Sequence, residues 1–441
     1  MSKEAPSIPK DLLNRILFTL GILAIYRIGV AVPTPGVDGA AVKAFMTQNT
    51  GSIFGLFNTF TGGAFERFSI FALGIMPYIS ASIIFQLLQT AIPYLEALKK
   101  EGEAGRKKIN QYTRYATVAL AGFQGYGMAK WLASNNAPGG EALVIAPDFG
   151  HFLLSFEVVT IITLTAGTMF VMWLGEQITE RGIGNGASLI IFAGIAAGIP
   201  SGTAKMWQMI QSGEFNGMAA VGLAGFMLLV IAAIVFVEVG QRRIPIQHSQ
   251  KGAGRMAMQG SQNHLPLKVN FSGVIPPIFA SSLLMFPATM AQFVDVPWLR
   301  SMQDALSPTG SIYNLLFVAL IVFFCFFYTE IVFNPNEVAD NLKKYGGFIP
   351  GIRAGRSTSD YIKRVLERLT VAGAIYLSAV CIMPNFLNLY LKLPFYFGGT
   401  SLLILVGVAL DTAQQINSHL ITAEYDKRLK GVKMRSRRVQ Y

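Results

Sequence analysis

The sequence predicts an all-α membrane protein, with ten transmembrane helices in two inverted five-helix halves. Three observations carry that expectation. Charged residues make up only 14% of the 441-residue chain against 52% hydrophobic ones, where a soluble domain carries about a quarter charged. Apolar runs of spanning length recur from end to end, and the mean hydropathy is +0.46. Lysine and arginine crowd into alternate segments between those runs.

A helix crossing a hydrocarbon layer about 30 Å thick needs about 20 apolar residues. That ruler places spans near 16–33, 71–92, 115–134, 151–174, 183–200, 217–240, 269–291, 312–333, 369–391 and 399–422. The fifth is short, and the tenth weakens after Asp411, which puts its final turn at the interface. Segments 1–15, 93–114, 175–182, 241–268, 334–368 and 423–441 hold 29 of the 36 Lys and Arg, and the opposite set holds 5. The positive-inside rule assigns the first set, with both termini, to the cytoplasm. The net charge of +12 is then mostly topology, and weighs little for nucleic-acid binding.

The expected layout is a cytoplasmic N-terminus (1–15), a first half with the sixth span (16–240), a basic loop (241–268), the rest of the second half (269–422, including the loop 334–368) and a basic tail (423–441). Five spans reverse the direction of the chain, so a second set of five is inverted relative to the first, a design common in proteins that move cargo across membranes. Met1 to Lys10 is polar, and the first run leads to Pro33 and Pro35 without a small-residue cleavage site. The first span itself is therefore expected to drive insertion.

Catalytic signals are missing. There is no GxxxxGK[ST] loop and no HExxH, and Cys325 and Cys381 lie in apolar runs with no metal-ligand spacing. Gly182, Gly184 and Ala187 fit G-x-G-x-x-A but follow no strand of a βαβ unit. The sequence implies no cofactor, and energy has to come from a partner or a gradient. Charges inside the runs are few: Arg27, Lys130, Glu157, Glu238, Glu330 and Asp411. Glu157 and Asp411 are the candidates for ion coupling; the alternative is an interfacial or helix-packing role.

The stretch 53–92 is too long for one span and is broken at Thr61-Gly62-Gly63, Gly74 and Pro77. Non-helical backbone at membrane depth persists only where protein or a watery cavity satisfies it. Two readings stay open: a re-entrant half-helix around Ala64–Leu73, or an amphipathic helix at the outer interface. Beyond it, Ile75 and Ile79 share a helix face, with Ser80, Ser82 and Gln86 nearby. Ile191, Ile278 and Ile404 carry no signal by spacing alone. In the loops, 241–268 holds Arg242, Arg243, Lys251, Arg255 and Lys268 without an acidic residue, and P-G-I-R-A-G-R places Arg353 and Arg356 in a glycine-rich turn. Topology explains their sign; their length points to docking of an acidic or nucleic-acid partner.

Eight stretches carry a resemblance: F-A-L-G-I-M-P-Y-I-S-A-S-I-I (71–84), K-K-E-G-E-A-G-R-K-K-I-N-Q-Y-T-R-Y (99–115), M-W-L-G-E-Q-I-T-E-R-G-I-G-N-G (172–186), H-L-P-L-K-V-N (264–270), G-V-I-P-P-I-F-A-S-S (273–282), F-F-C-F-F-Y-T (323–329), N-P-N-E-V-A-D-N-L-K-K (334–344) and P-F-Y-F-G-G-T-S-L-L-I (394–404). In this order, from about Leu12 to Tyr425, the chain resembles the SecY family. The resemblance implies a channel through which unfolded polypeptides cross the bacterial cytoplasmic membrane or escape sideways into lipid. Two five-helix halves would form a clamshell around a central hourglass pore.

By motif position, a closing ring falls on Ile75, Ile79, Ile191, Ile278 and Ile404. A plug falls on Thr61, Gly62, Gly63, Ala64, Phe65, Glu66, Arg67, Phe68, Ser69, Ile70 and Phe71. A lateral gate between the second and seventh spans would include Gln86, Asn185, Ser281 and Ser282. The resemblance implies docking of the ribosome or the motor ATPase SecA on Arg242, Arg243, Arg255, Arg353 and Arg356. SecE would clamp the halves, SecG would attach peripherally, and signal peptides, unfolded preproteins and membrane lipid would meet the gate. Ala187 stands where some members place a bulkier ring residue, Ala354 replaces a frequent proline, and the plug matches less well than its flanks. The rival classes are a secondary transporter, which needs a midplane polar site, and an intramembrane enzyme, which needs a catalytic constellation.

Overall fold

The computed structural model describes residues 9–48, 53–136, 142–145, 155–214, 216–248, 263–293, 310–391 and 399–431. Each of the ten apolar runs falls on a helix. In the first half these are α1 (Lys10–Val30), α4 (Met76–Ala91), α6 (Glu103–Ser134), α7 (Phe156–Arg181) and α8 (Gly186–Gln211). In the second they are α9 (Gly217–Val239), α10 (Ile275–Phe293), α11 (Ser311–Val332), α13 (Arg356–Leu391) and α14 (Gly399–Gly431). Shorter helices are α2 (Gly39–Gln48), α3 (Ile53–Thr61), α5 (Pro93–Lys100) and α12 (Pro335–Lys344).

Among the described residues seven helices are long and apolar enough to span by themselves, and α4 with α5 qualifies as a pair bent by 98°. Gln124, Lys130 and several glycines and tyrosines weaken the apolar part of α6, and the apolar stretch of α10 is short (Ile275–Met285). Two boundaries differ from expectation. The fifth span continues through Pro200 to Gln211, and the tenth stays helical past Asp411 to Gly431. Asn side chains fix the starts of two of the spans: Asn185 accepts from the Ser188 amide at 3.3 Å and Asn216 from the Met218 amide at 3.0 Å, satisfying donors that a helix N-terminus leaves open.

Packing repeats between the halves. In the first, α4 packs on α6, α6 on α7, α7 on α8, and α8 on α1; in the second, α10 packs on α11, α11 on α13, α13 on α14, and α14 on α9. The halves meet along two seams, α8 with α14, and α10 with both α4 and α6. Most of the outer surface is apolar: α9 is 22% buried across its span, with Met218, Val221, Leu228 and Phe236 facing outward. In water such a face would be untenable; in lipid it is the solvent-matched surface.

The two basic loops are joined by a small sheet. β1 (Gln241–His248) pairs antiparallel with β2 (Asn263–Lys268) and with β3 (Gly347–Phe348), in the order β2-β1-β3. Alternation drives it: Ile244 and Ile246 point inward while Arg243 and Gln247 face out. Ile244, Leu267, Ile349, Ile362 and Val365 form a separate apolar core beneath.

One expectation is overturned. Residues 62–75 are a chain of turns, and the helix lies earlier, at Ile53–Thr61. The 64–73 half-helix cannot form because its backbone is bonded elsewhere: the Thr34 amide donates to Phe68 O at 2.9 Å and the Ile70 amide to Val32 O at 3.0 Å.

Candidate functional site

A single contiguous apolar core runs between the halves, and it contains Ile75, Ile79, Ile191, Ile278 and Ile404. They come from the approach to α4, from α4, α8, α10 and α14, and are between 0% (Ile404) and 7% (Ile79) exposed. Residues as far apart in sequence as Ile75 and Ile404 thus belong to one apolar core. Ala187, at the start of α8, packs against its edge.

The 61–71 segment lies against this cluster as a compact bend. Ala64, Phe65, Phe68 and Phe71 are buried, and Phe68 holds the left-handed φ of 44°, a costly conformation for a bulky residue that the surroundings impose. Its polar atoms are matched locally: the Asn58 amide donates to Glu66 Oε2 at 3.2 Å, and the Glu66 backbone N–H donates to Asn58 Oδ1 at 2.9 Å. Glycines on the neighbouring helices make room. A Cβ on Gly167 of α7 would run into Ile70 O, and one on Gly29 of α1 into the Phe71 ring. Gly62 approaches Gly194 of α8 so closely that a Cβ would lie 2.5 Å from the Gly194 Cα. Arg67 is exposed; it lines, with Arg27, Lys43, Lys205 and Glu66, a cavity of about 430 Å³ over the bend.

The two seams differ in their polar contacts. At α4–α10, Ser281 and Ser282 are buried, and both donate to Ile278 O on their own helix, at 2.9 and 2.8 Å. The Gln86 amide donates to Ser82 Oγ at 3.2 Å, again within its helix. Among the described residues no hydrogen bond or ion pair crosses between α4 and α10. The other seam is tied. The α7–α8 turn receives Thr19 of α1, whose Oγ1 accepts from the Ile183 amide at 3.1 Å, and Gln415 of α14, whose Oε1 accepts from the Gly184 amide at 2.8 Å. Asn185 sits in that turn, exposed, and its side chain caps α8. The glycines of the G-x-G-x-x-A pattern make a tight turn between helices: a Cβ on Gly182 would lie 2.7 Å from Ile178 O, and Gly184 holds a left-handed φ of 91°.

On the sheet, Arg242 and Arg243 stand exposed on β1, opposite Leu267 and Pro266 of β2. Arg353 and Arg356 are exposed in the turn into α13, which is fixed by Thr358 donating to Arg353 O at 3.0 Å and by Ser359 donating to Asn336 Oδ1 at 2.6 Å. Arg255 lies outside the described residues.

The charges within the spans have ordinary partners. Glu238 accepts from the Asn270 amide at 2.6 Å, Lys130 lies 5.5 Å from the Tyr126 ring centroid, and Asp411 is 3.9 Å from Lys268 at the end of β2, both well exposed. Glu157 occupies the first turn of α7, away from mid-span; Asp411 lies midway along Gly399–Ala423, where Lys268 is the cation beside it. Among the described residues no group of three His, Cys, Asp or Glu side chains could hold a metal. Sequence reasoning missed the glycine notches and the role of α1, whose Tyr26 and Arg27 both reach the bend.

Comparisons with known proteins agree with this architecture. The SecY family model matches residues 69–413. The Protein translocase subunit SecY of Escherichia coli strain K12 is 49% identical over 424 residues, covering 95% of this chain and 94% of its own length. A solved structure described as a protein conducting channel superposes with a TM-score of 0.63 at 18% identity, covering 95% of each chain. Sec61 in the canine ribosome-channel complex from the endoplasmic reticulum gives the same TM-score and identity, again over 95% of each chain.

Proposed function

The chain belongs to the SecY family, and from that premise we propose how its parts conduct a polypeptide. It is a multi-pass membrane protein and the pore subunit of a protein-conducting channel; it is not an enzyme. The observation that carries the reading is that five isoleucines drawn from both halves are all buried in one apolar core. Aliphatic side chains bind neither ions nor water, so a constriction of them closes by dewetting. They also offer no specific hydrogen bond, so any sequence can slide past. Isoleucine is stiff at χ1, which gives a defined gasket and leaves widening to helix movement.

In this reading residues 61–71 are the plug, α4–α10 is the lateral gate and α8–α14 is the hinge. The polar groups of the gate are satisfied within their own helices, so parting it strands no hydrogen bond. An apolar signal peptide that binds the parted gate shifts the closed–open equilibrium toward open. Both termini lie in the cytoplasm of a bacterial cell, with the sheet, Arg242, Arg243, Arg353 and Arg356 facing the ribosome or SecA, which supply the driving force. SecE and SecG cover parts of the exposed apolar rim, and lipid covers the rest.

The test is reconstitution. Liposomes holding the complex, given ATP and the motor, should import a denatured preprotein. Gradient-driven uptake of a small solute, with no preprotein import, would contradict the reading.

A further inference from the structure

The carbonyls at the end of α3 have a particular set of partners. Gly62 has φ +66°, and the Gly63 and Gly62 amides donate to Asn58 O and Thr59 O at 3.0 and 3.3 Å, the pattern of a helix closed by a left-handed glycine. That leaves the carbonyls of Thr61 and Gly62, and consecutive residues of α1 take them. Tyr26 donates its hydroxyl to Thr61 O at 3.1 Å, and Arg27 donates Nη1–H to Gly62 O at 2.9 Å. Among the described residues the only other donor to Thr61 O is the Ala64 amide, at 3.4 Å.

Tyr26 also reaches the far end of the plug. It is 1% exposed, and its ring stacks on Phe71 with centroids 6.0 Å apart. One side chain thus touches both ends of the bend. Arg27 is a cation within a membrane span and has no carboxylate within ion-pair distance among the described residues. It sits in the last turn of α1 and against the C-terminus of α3, where the partial negative charge of helix ends favours a cation. An intramembrane guanidinium held by a carbonyl is expensive to maintain without a function. The plug has room to leave: Gly62, Gly63, Glu66 and Arg67 line the cavity of about 430 Å³.

We infer that Tyr26 and Arg27 are positioning residues of the seal, a latch on α1 that holds the plug shut and sets the closed–open equilibrium. The inference rests on reading 61–71 as the plug. Opening has to break two hydrogen bonds, one of them charge-assisted, and to move a helix end away from its cation.

The test is resting conductance of the purified complex in planar bilayers, comparing Tyr26→Phe, Arg27→Gln, Arg27→Lys and a deletion of residues 62–70. Arg27→Gln should raise the open fraction about tenfold and Tyr26→Phe about threefold, the scale of losing a charged and a neutral hydrogen bond. Arg27→Lys, which keeps a charged donor, should restore most of the closure; a merely structural arginine would show no such rescue. Export of a preprotein with a weakened signal peptide should rise in the same order. A leak from the deletion with none from Tyr26→Phe or Arg27→Gln overturns the latch and leaves the plug reading intact. A deletion that does not leak overturns both. If Arg27→Gln fails to assemble, Tyr26→Phe and the Lys variant decide, since both nearly preserve side-chain volume.

Discussion

The neck between the two halves and the sheet beneath them are built from different materials. Around the neck, isoleucines from four helices share one buried cluster, and the plug is held mainly through backbone carbonyls and glycine notches. On the sheet, arginines stand exposed on a scaffold that has a small core of its own. On the proposed reading the neck stays dry and lets unrelated chains pass, which fits its lack of polar chemistry. On the same reading the sheet meets a partner from solution, which fits the charge it presents on a frame of its own. Separate cores let the two act independently.

That independence can be broken or sharpened by substitution. The largest effect is expected at the ring: Ile278→Asn should wet the constriction and raise resting conductance at least about tenfold, with docking on the sheet unchanged in a binding assay. Next, Ile244→Asp buries a carboxylate in the sheet core and should cost about 3 kcal/mol locally. Hydrogen exchange should show β1 amides opening while resting conductance stays low; a leak from this variant would tie the two regions together. Arg353→Glu should lower motor-driven secretion severalfold, more so at low salt, with normal membrane insertion of the subunit. Smallest is Lys268→Ala. Its pair with Asp411 is long and exposed and should be worth less than about 1 kcal/mol, with no change in thermal stability of the complex or in transport. A strong transport defect there would revive Asp411 as a coupling residue.

Much of the fold was legible. A bilayer imposes length and apolarity on every span, and both can be counted, so all ten runs fall on helices. The sheet was not read, although Ile244, Ile246, Leu265 and Leu267 alternate with period two, because Pro245 and Pro266 interrupt the strand signal. The break at 61–74 is legible in its glycines, but its apolar content suggests a half-helix, while the pairing of Phe68 and Ile70 with Thr34 and Val32 makes it a chain of turns. Glycine notches such as Gly29 and Gly167 are invisible in a sequence, since what a missing Cβ makes room for is a tertiary fact. The ring illustrates the same limit. Ile191, Ile278 and Ile404 look like any lipid-facing aliphatics until the helices are placed; only the resemblance to a family singled them out. Asn185 has a local role that motif position does not reveal, for it caps α8 in the turn bonded by Thr19 and Gln415.

The most direct measurement follows the chain itself. A preprotein with one cysteine in mid-sequence is stalled during import, and disulfide formation is tested with the complex carrying Ile79→Cys, Ile191→Cys, Ile278→Cys or Ile404→Cys in turn. All four positions should cross-link to the stalled chain and none in its absence, with lipid-facing Leu228→Cys silent throughout. Cross-linking at Leu228 with silence at all four ring positions would mean that the polypeptide takes another route.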